Sequence, residues 1–116
     1  MTVLIVEDEP HGRETLRDLL QDEGYRVATA RDGAEAMARL AAEDASLVIL
    51  DLLMPGMNGT TLYDEMQRSP RLAKIPVLVT TADPTRAPVG VPTLEKRMSA
   101  AGLDLDRLRR CLTGND

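Results

Sequence analysis

Phenylalanine and tryptophan are absent from this sequence, and tyrosine occurs only as Tyr25 and Tyr63. A hydrophobic core must therefore be assembled from Leu, Val, Ile, Ala and Met. Cysteine occurs once, at Cys111. That excludes an internal disulfide and fits a reducing compartment. With no partner base in view, Cys111 reads as a small apolar helix residue. Histidine also occurs once. His11 stands near a helix start and reads as an exposed residue of that turn, not as a phosphohistidine or metal ligand. Positive charge is in deficit: 14 Lys and Arg face 19 Asp and Glu, a net charge of −5. This argues against nucleic acid and against anionic membranes as partners. Long apolar runs are missing too. Val3-Leu4-Ile5-Val6 is too short for a signal peptide or a membrane span, and no basic segment precedes it. The expectation is a soluble, cytoplasmic chain with neither internal repeat nor linker. Its 116 residues suffice for one domain with one core. The start at Met1 and the short acidic end, Gly114-Asn115-Asp116, favour a small complete protein.

What is present is a regular alternation. Val3-Leu4-Ile5-Val6 is a continuous apolar run, and Glu7-Asp8-Glu9 ends it. Such a run, bounded by polar residues, predicts a strand buried on both faces. Pro10 and the acids suit the first turn of a helix. That helix presents Leu16, Leu19 and Leu20 on one face and stops near Gly24. Arg26 to Ala30 predicts a weaker strand near an edge, ended by Asp32-Gly33. Ala36, Met37 and Leu40 mark a second helix. Ser46 or Leu47 opens the strand Leu47-Val48-Ile49-Leu50-Asp51. After Gly59, Leu62, Tyr63 and Met66 give one face of a short helix that Ser69-Pro70 stops. Pro76 to Thr80 predicts a fourth strand. Strand and helix in strict alternation with short loops imply an α/β fold, a parallel sheet with helices on both faces.

The tail departs from this rhythm. Asp83 to Pro92 holds Pro84, Pro88, Gly90 and Pro92. A helix interior cannot carry so many prolines, because each removes a donor and clashes with the preceding turn. The fourth helix is therefore expected to be missing or reduced to a turn. Thr93-Leu94-Glu95 predicts a very short final strand, and Lys96 follows it. A last helix is expected from about Asp104 to Leu112. Asp104 would be its N-cap, Leu105, Leu108 and Leu112 its inner face, and Arg107, Arg109 and Arg110 its wet side.

Asp51 stands at the carboxyl end of a central strand, the edge where open α/β sheets bind ligands. A carboxylate there is a metal ligand, a nucleophile, or both. In a parallel sheet the first strand ends on the same edge, bringing Glu7 and Asp8 to Asp51. Three carboxylates at one place repel one another, and a divalent cation relieves the conflict. Oxygen ligands with no His or Cys nearby indicate a hard ion, Mg²⁺ in the cell. Mg²⁺ on one or two carboxylates keeps positions for water and phosphate oxygens, the arrangement phosphoryl transfer uses. Thr80 or Thr81, closing the fourth strand, and Lys96, after the fifth, could supply a hydroxyl and an ammonium to a phosphoryl group on Asp51.

At this point the chain resembles a known family. Val6-Glu7-Asp8-Glu9, the segment Asp51-Leu52-Leu53-Met54-Pro55-Gly56-Met57-Asn58-Gly59, Thr81-Ala82 and Lys96 are similar, in that order, to the receiver domain of two-component response regulators. The resemblance spans nearly the whole chain. It implies a flavodoxin-like, doubly wound five-stranded parallel sheet of order 2-1-3-4-5. It further implies that Asp51 accepts a phosphoryl group from a histidine kinase or a histidine phosphotransfer protein. Asp8, the Asp51 carboxylate and the Leu53 backbone carbonyl would hold Mg²⁺, and Glu7 a metal-bound water. Thr81, which precedes the small residue Ala82, would hydrogen-bond the phosphoryl group, and Lys96 would pair with it. Leu53 and Asp83 lie where the family tunes the access of water. The expected output is a changed surface presented to a downstream protein, with residues 1–116 forming one receiver domain and no output domain.

Three features depart from the family's pattern. Glu7 replaces the usual first aspartate. Arg97, not proline, follows Lys96, so the costly cis peptide bond of that loop is not expected. Thr93 stands where the family has its switch aromatic. The first is a common variation that metal binding is expected to survive. The altered lysine loop and the missing aromatic favour a rival reading, a receiver-like protein-interaction module not controlled by phosphorylation, which Asp51, Asp8 and Thr81 oppose. A small phosphatase is a third reading. It would need a second acid two residues after Asp51, but Leu53 occupies that position, so general acid–base catalysis is not expected. The chain is accordingly read as a phosphoacceptor and not as an enzyme.

Overall fold

A computed structural model describes residues 2–52, 59–81 and 90–95. The sheet is assembled from β1 (Thr2–Val6), β2 (Arg26–Ala30), β3 (Leu47–Asp51) and β4 (Val77–Thr81), all parallel, with Thr93–Glu95 (β5) pairing alongside β4. The spatial order is β2-β1-β3-β4-β5. Among the described residues three α-helices join the strands: α1 (Pro10–Asp22), α2 (Gly33–Ala42) and α3 (Gly59–Arg68). This is a flavodoxin-like α/β fold. No helix among the described residues is long and apolar enough to cross a membrane.

The strands form where the apolar runs are. In β3 and β4 every residue is buried, as continuous runs in a two-sided sheet require. Side chains alternate between faces along each strand, and two core clusters result. Leu4, Val6, Ala30, Val48, Leu50, Val77 and Val79 pack on one face with Ala36 and Leu40 of α2 and Leu62 and Met66 of α3. Val3, Ile5, Leu47, Ile49 and Leu78 pack on the other with Leu16 and Leu20 of α1. Full burial of one such side chain contributes roughly 1.5–3 kcal/mol. With no Phe or Trp, and with Tyr63 and Tyr25 only partly buried against the two clusters, these aliphatic layers carry the fold.

Helix ends follow local chemistry. Glu9 caps α1, its carboxylate accepting from the backbone N–H groups of His11 and Gly12, with Pro10 in the first turn. Gly24 takes φ +93 after α1, a left-handed conformation that glycine adopts without steric penalty. Asp32, expected as a strand terminator, in fact caps α2 by accepting from Glu35 N–H at 2.8 Å. Leu19 is only half-buried, so the inner face of α1 is narrower than the three leucines suggested. A 3₁₀ turn at Leu72–Lys74 was not anticipated. Arg71 ties its start to the end of α2, donating to the Leu40 carbonyl and to Asp44 Oδ1.

Two further details differ from the expectation. Strand β4 begins one residue later, at Val77, and runs on to Thr81, which stands opposite Glu95 of β5. The expected reduction of the fourth helix and the expected final helix from Asp104 to Leu112 fall outside the described residues.

Where α3 starts, the chain is crowded. A Cβ added at Gly59 would stand 2.4 Å from the Asp51 carbonyl oxygen and 2.5 Å from Leu52 Cα. Gly59 N–H donates to the Leu52 carbonyl at 2.9 Å. Only a residue without a side chain can bring α3 this close to the end of β3. Gly59→Ala is expected to destabilise the protein by about 1–3 kcal/mol or more, because backbone must move to admit the methyl group; urea unfolding would measure it. Asp32→Ala removes the α2 cap and should cost about 1 kcal/mol by the same measurement.

Candidate functional site

The site follows from the pairing of β1 with β3. Their register aligns Ile5 with Ile49 and Val6 with Leu50. Continued by one residue, it sets Glu7 beside Asp51. Both follow the alternation of their strands, Glu7 after Val3 and Ile5, Asp51 after Leu47 and Ile49. They therefore belong to the face covered by α1. Glu7 N–H donates to the Ala30 carbonyl at 3.0 Å, so β1 remains tied to β2 one residue beyond its end.

Glu7, Asp8 and Asp51 each offer a carboxylate oxygen, and the three oxygens lie within 4.8 Å of one another. Asp51 is 5% exposed and Glu7 9%, whereas Asp8 is half-exposed. At an effective dielectric near 20, two unit charges about 5 Å apart repel by roughly 3 kcal/mol. A partly buried trio of acids thus favours a counter-charge. The donors are hard oxygens, with no nitrogen or sulfur ligand in the group. Oxygens on opposite sides of Mg²⁺ stand about 4 Å apart, so the spread of these three suits a small hard cation that also keeps waters. The residues present fit the ion that the sequence implied.

Glu9, third in the acidic run, is not in the cluster; its carboxylate is used as the α1 cap. His11 is exposed at the helix start. Two residues of α1 that sequence reasoning did not single out touch the site. Arg13 Nη1 donates to the backbone carbonyls of Glu7 at 3.0 Å and Asp8 at 3.4 Å. Gly12 lies against the Glu7 carboxylate. An arginine and a glycine in the first helical turn carry no sequence signal for such contacts, which run from a helix to a strand end.

On the other side of Asp51, β4 supplies two hydroxyls. Asp51 stands opposite Thr80 in the sheet register, and Leu52 N–H donates to the Thr80 carbonyl at 3.2 Å. The Thr80 hydroxyl donates to the Leu50 carbonyl at 3.5 Å, a contact within the sheet. Thr81 is fully buried and closes the strand. Thr93, in β5, donates its hydroxyl to the Val91 carbonyl at 3.0 Å. Leu53, Ala82, Asp83, Lys96 and Arg97 lie outside the described residues.

Comparison with known proteins places this edge in context. Residues 3–99 match the family model of the response regulator receiver domain. The sensor histidine kinase TmoS of Ectopseudomonas mendocina is 42% identical over 82 residues, covering 71% of this chain and 8% of TmoS. The aerobic respiration control protein ArcA of Escherichia coli is 44% identical over 71 residues, 61% of this chain and 30% of ArcA. The chain thus spans less than a third of the length of either relative. The structure is similar to the response regulator TrrA of Thermotoga maritima in complex with Mg²⁺ and BeF. The TM-score is 0.81 at 28% identity, covering 99% of this chain and 98% of TrrA. Receiver domains are phosphoacceptor modules of two-component signalling, and the match begins in β1 and runs past β5. By that match over most of its length, the chain belongs to the response regulator receiver domain family.

Proposed function

We propose that the chain takes a phosphoryl group onto Asp51 from the phosphohistidine of a histidine kinase or a histidine phosphotransfer protein. In that transfer the N–P bond of phosphohistidine breaks, a bond forms between phosphorus and a carboxylate oxygen of Asp51, and neutral imidazole leaves after taking up a proton. The convergence of the Glu7, Asp8 and Asp51 oxygens within 4.8 Å supports this reading. Asp8, the Asp51 carboxylate and the Leu53 carbonyl would hold Mg²⁺, with Glu7 acting through a water; all are oxygen donors suited to that ion. When bound, Mg²⁺ supplies charge neutralisation for the phosphoryl oxygens. Thr81 then donates a hydrogen bond to the phosphoryl group, and Lys96 pairs with it. Thr81 is preferred to Thr80 for this role because it precedes the small residue Ala82, as the family's hydroxyl residue does. The burial of Asp51 limits water at the acyl phosphate.

The same proposal extends to the architecture and setting. Residues 1–116 form one receiver domain with five strands in the order 2-1-3-4-5 and a reduced fourth helix, in keeping with Pro84, Pro88 and Pro92. It works in the cytoplasm, where its output is a changed surface offered to a downstream protein, and it engages neither nucleic acid nor membrane, in keeping with its net charge of −5.

One observation favours a second reading. Thr93 takes the position of the family's switch aromatic, and its hydroxyl is committed to the Val91 carbonyl. A chain without that switch would serve as an interaction module whose surface does not depend on phosphorylation. Acetyl phosphate separates the two. Intact-mass spectrometry should detect one phosphoryl adduct on the wild type in MgCl₂, and none in EDTA or in Asp51→Asn. An unlabelled wild type would establish the second reading instead. Mg²⁺ alone should also stabilise the fold. At a concentration 100 times its Kd it should add about 2.7 kcal/mol. Calorimetric melting would measure this gain, and Asp8→Asn should lose most of it.

A further inference from the structure

Helix α1 meets the acid cluster through a residue that has no side chain. A Cβ added at Gly12 would stand 3.1 Å from Glu7 Oε1, 3.9 Å from Glu7 Cδ and 3.2 Å from Glu9 Oε2. Ordinary van der Waals contact of a Cβ begins at 3.4 Å, so the two carboxylates close over the place a methyl group would take. Among the described residues the glycines with positive φ are Gly24 and Gly90, and Gly12 is not one of them. Its backbone conformation therefore does not require glycine. Helix propensity argues against glycine in the first turns of α1, where almost any other residue would serve better. What remains as a reason for glycine here is space.

We propose that Gly12 is a positioning residue matched to Glu7, its missing side chain being the room that the long acid occupies beside Asp8 and Asp51. The proposal rests on the reading of the acid cluster as a Mg²⁺ site. The Glu7 backbone has little freedom to adapt. Its N–H is bonded to the Ala30 carbonyl at 3.0 Å, and its own carbonyl accepts from Arg13 Nη1 at 3.0 Å. With the backbone fixed and the residue buried, the few tenths of an ångström that a methyl group at position 12 needs must come from the carboxylate itself. An aspartate at position 7 would withdraw its carboxylate by one carbon–carbon bond, about 1.5 Å. It would then clear the same methyl group. The contact between Gly12 and Glu9 is common to both cases and cancels in a comparison.

The test is a cycle of four proteins: wild type, Gly12→Ala, Glu7→Asp and the double variant. Each is titrated with MgCl₂ by isothermal titration calorimetry and melted in EDTA. With Glu7 present, Gly12→Ala should weaken Mg²⁺ binding about tenfold, the lower end for disturbing a group that acts on the metal through its bound water. With Asp at position 7 the same change should leave the affinity unaltered. In the melts, alanine should raise Tm only in the Glu7→Asp background, where its better helix propensity is unopposed. Unchanged Mg²⁺ affinity in Gly12→Ala, or an equal loss in both backgrounds, would overturn the pairing. If Gly12→Ala does not fold while the double variant does, the pairing stands; if neither folds, it falls. A wild type indifferent to Mg²⁺ would defeat only the reading of the metal site. The melting temperatures would then decide the pairing, additivity overturning it and non-additivity supporting it.

Discussion

Everything at the functional edge depends on β1 and β3 lying side by side and running in the same direction. Parallel pairing brings both carboxyl ends to one edge, and the register of Val6 with Leu50 brings the residues that follow into contact. Antiparallel neighbours would have set Glu7 and Asp51 at opposite ends of the sheet. A register shifted by one residue would have turned Asp51 to the other face, because side chains alternate. Burial enforces the register: Leu47 and Ile49 pack towards α1 while Val48 and Leu50 pack towards α2 and α3. The placement of the acids is thus set by the aliphatic residues of the two core layers.

The three consecutive acids show how finely one turn divides its work. Glu7 is still held to the sheet through its backbone, Asp8 has left it, and Glu9 has joined the helix as a cap. Their side chains are nearly alike, and only their positions relative to β1 and α1 separate them. Arg13 closes this turn by donating to the carbonyls of Glu7 and Asp8. Its positive charge thereby sits next to the acid cluster and constrains the turn without joining the group of oxygens.

Much of this was legible in the sequence. The apolar runs ending in acids gave β1 and β3, and a parallel topology alone was enough to gather Glu7, Asp8 and Asp51. Gly24 and Pro10 marked the limits of α1. Other features were hidden for physical reasons. Asp32-Gly33 ends a strand and starts a helix with the same residues, so its capping role was not visible. Leu72 follows Pro70 and reads as loop, although it is buried in a 3₁₀ turn. Thr81 reads as a polar residue beyond β4, yet its backbone still pairs with the next strand. Thr80 and Thr81 could not be told apart without the resemblance, since both are hydroxyls at one strand end. The contacts of Gly12 and Arg13 have no periodicity to betray them. Leu53 and Lys96, which the resemblance would add to the site, lie outside the described residues.

The hydrogen bond from Gly59 to Leu52 has a consequence for tolerance to change. It fastens the two ends of segment 53–58 to one another, while Leu52 is itself anchored to Thr80. The end of β3, with Asp51, is therefore held against the start of α3 by contacts outside that segment. Lengthening or recoding the segment would leave the spacing between β3 and α3 untouched, as a clasp holds a bracelet's ends together whatever beads are strung between them.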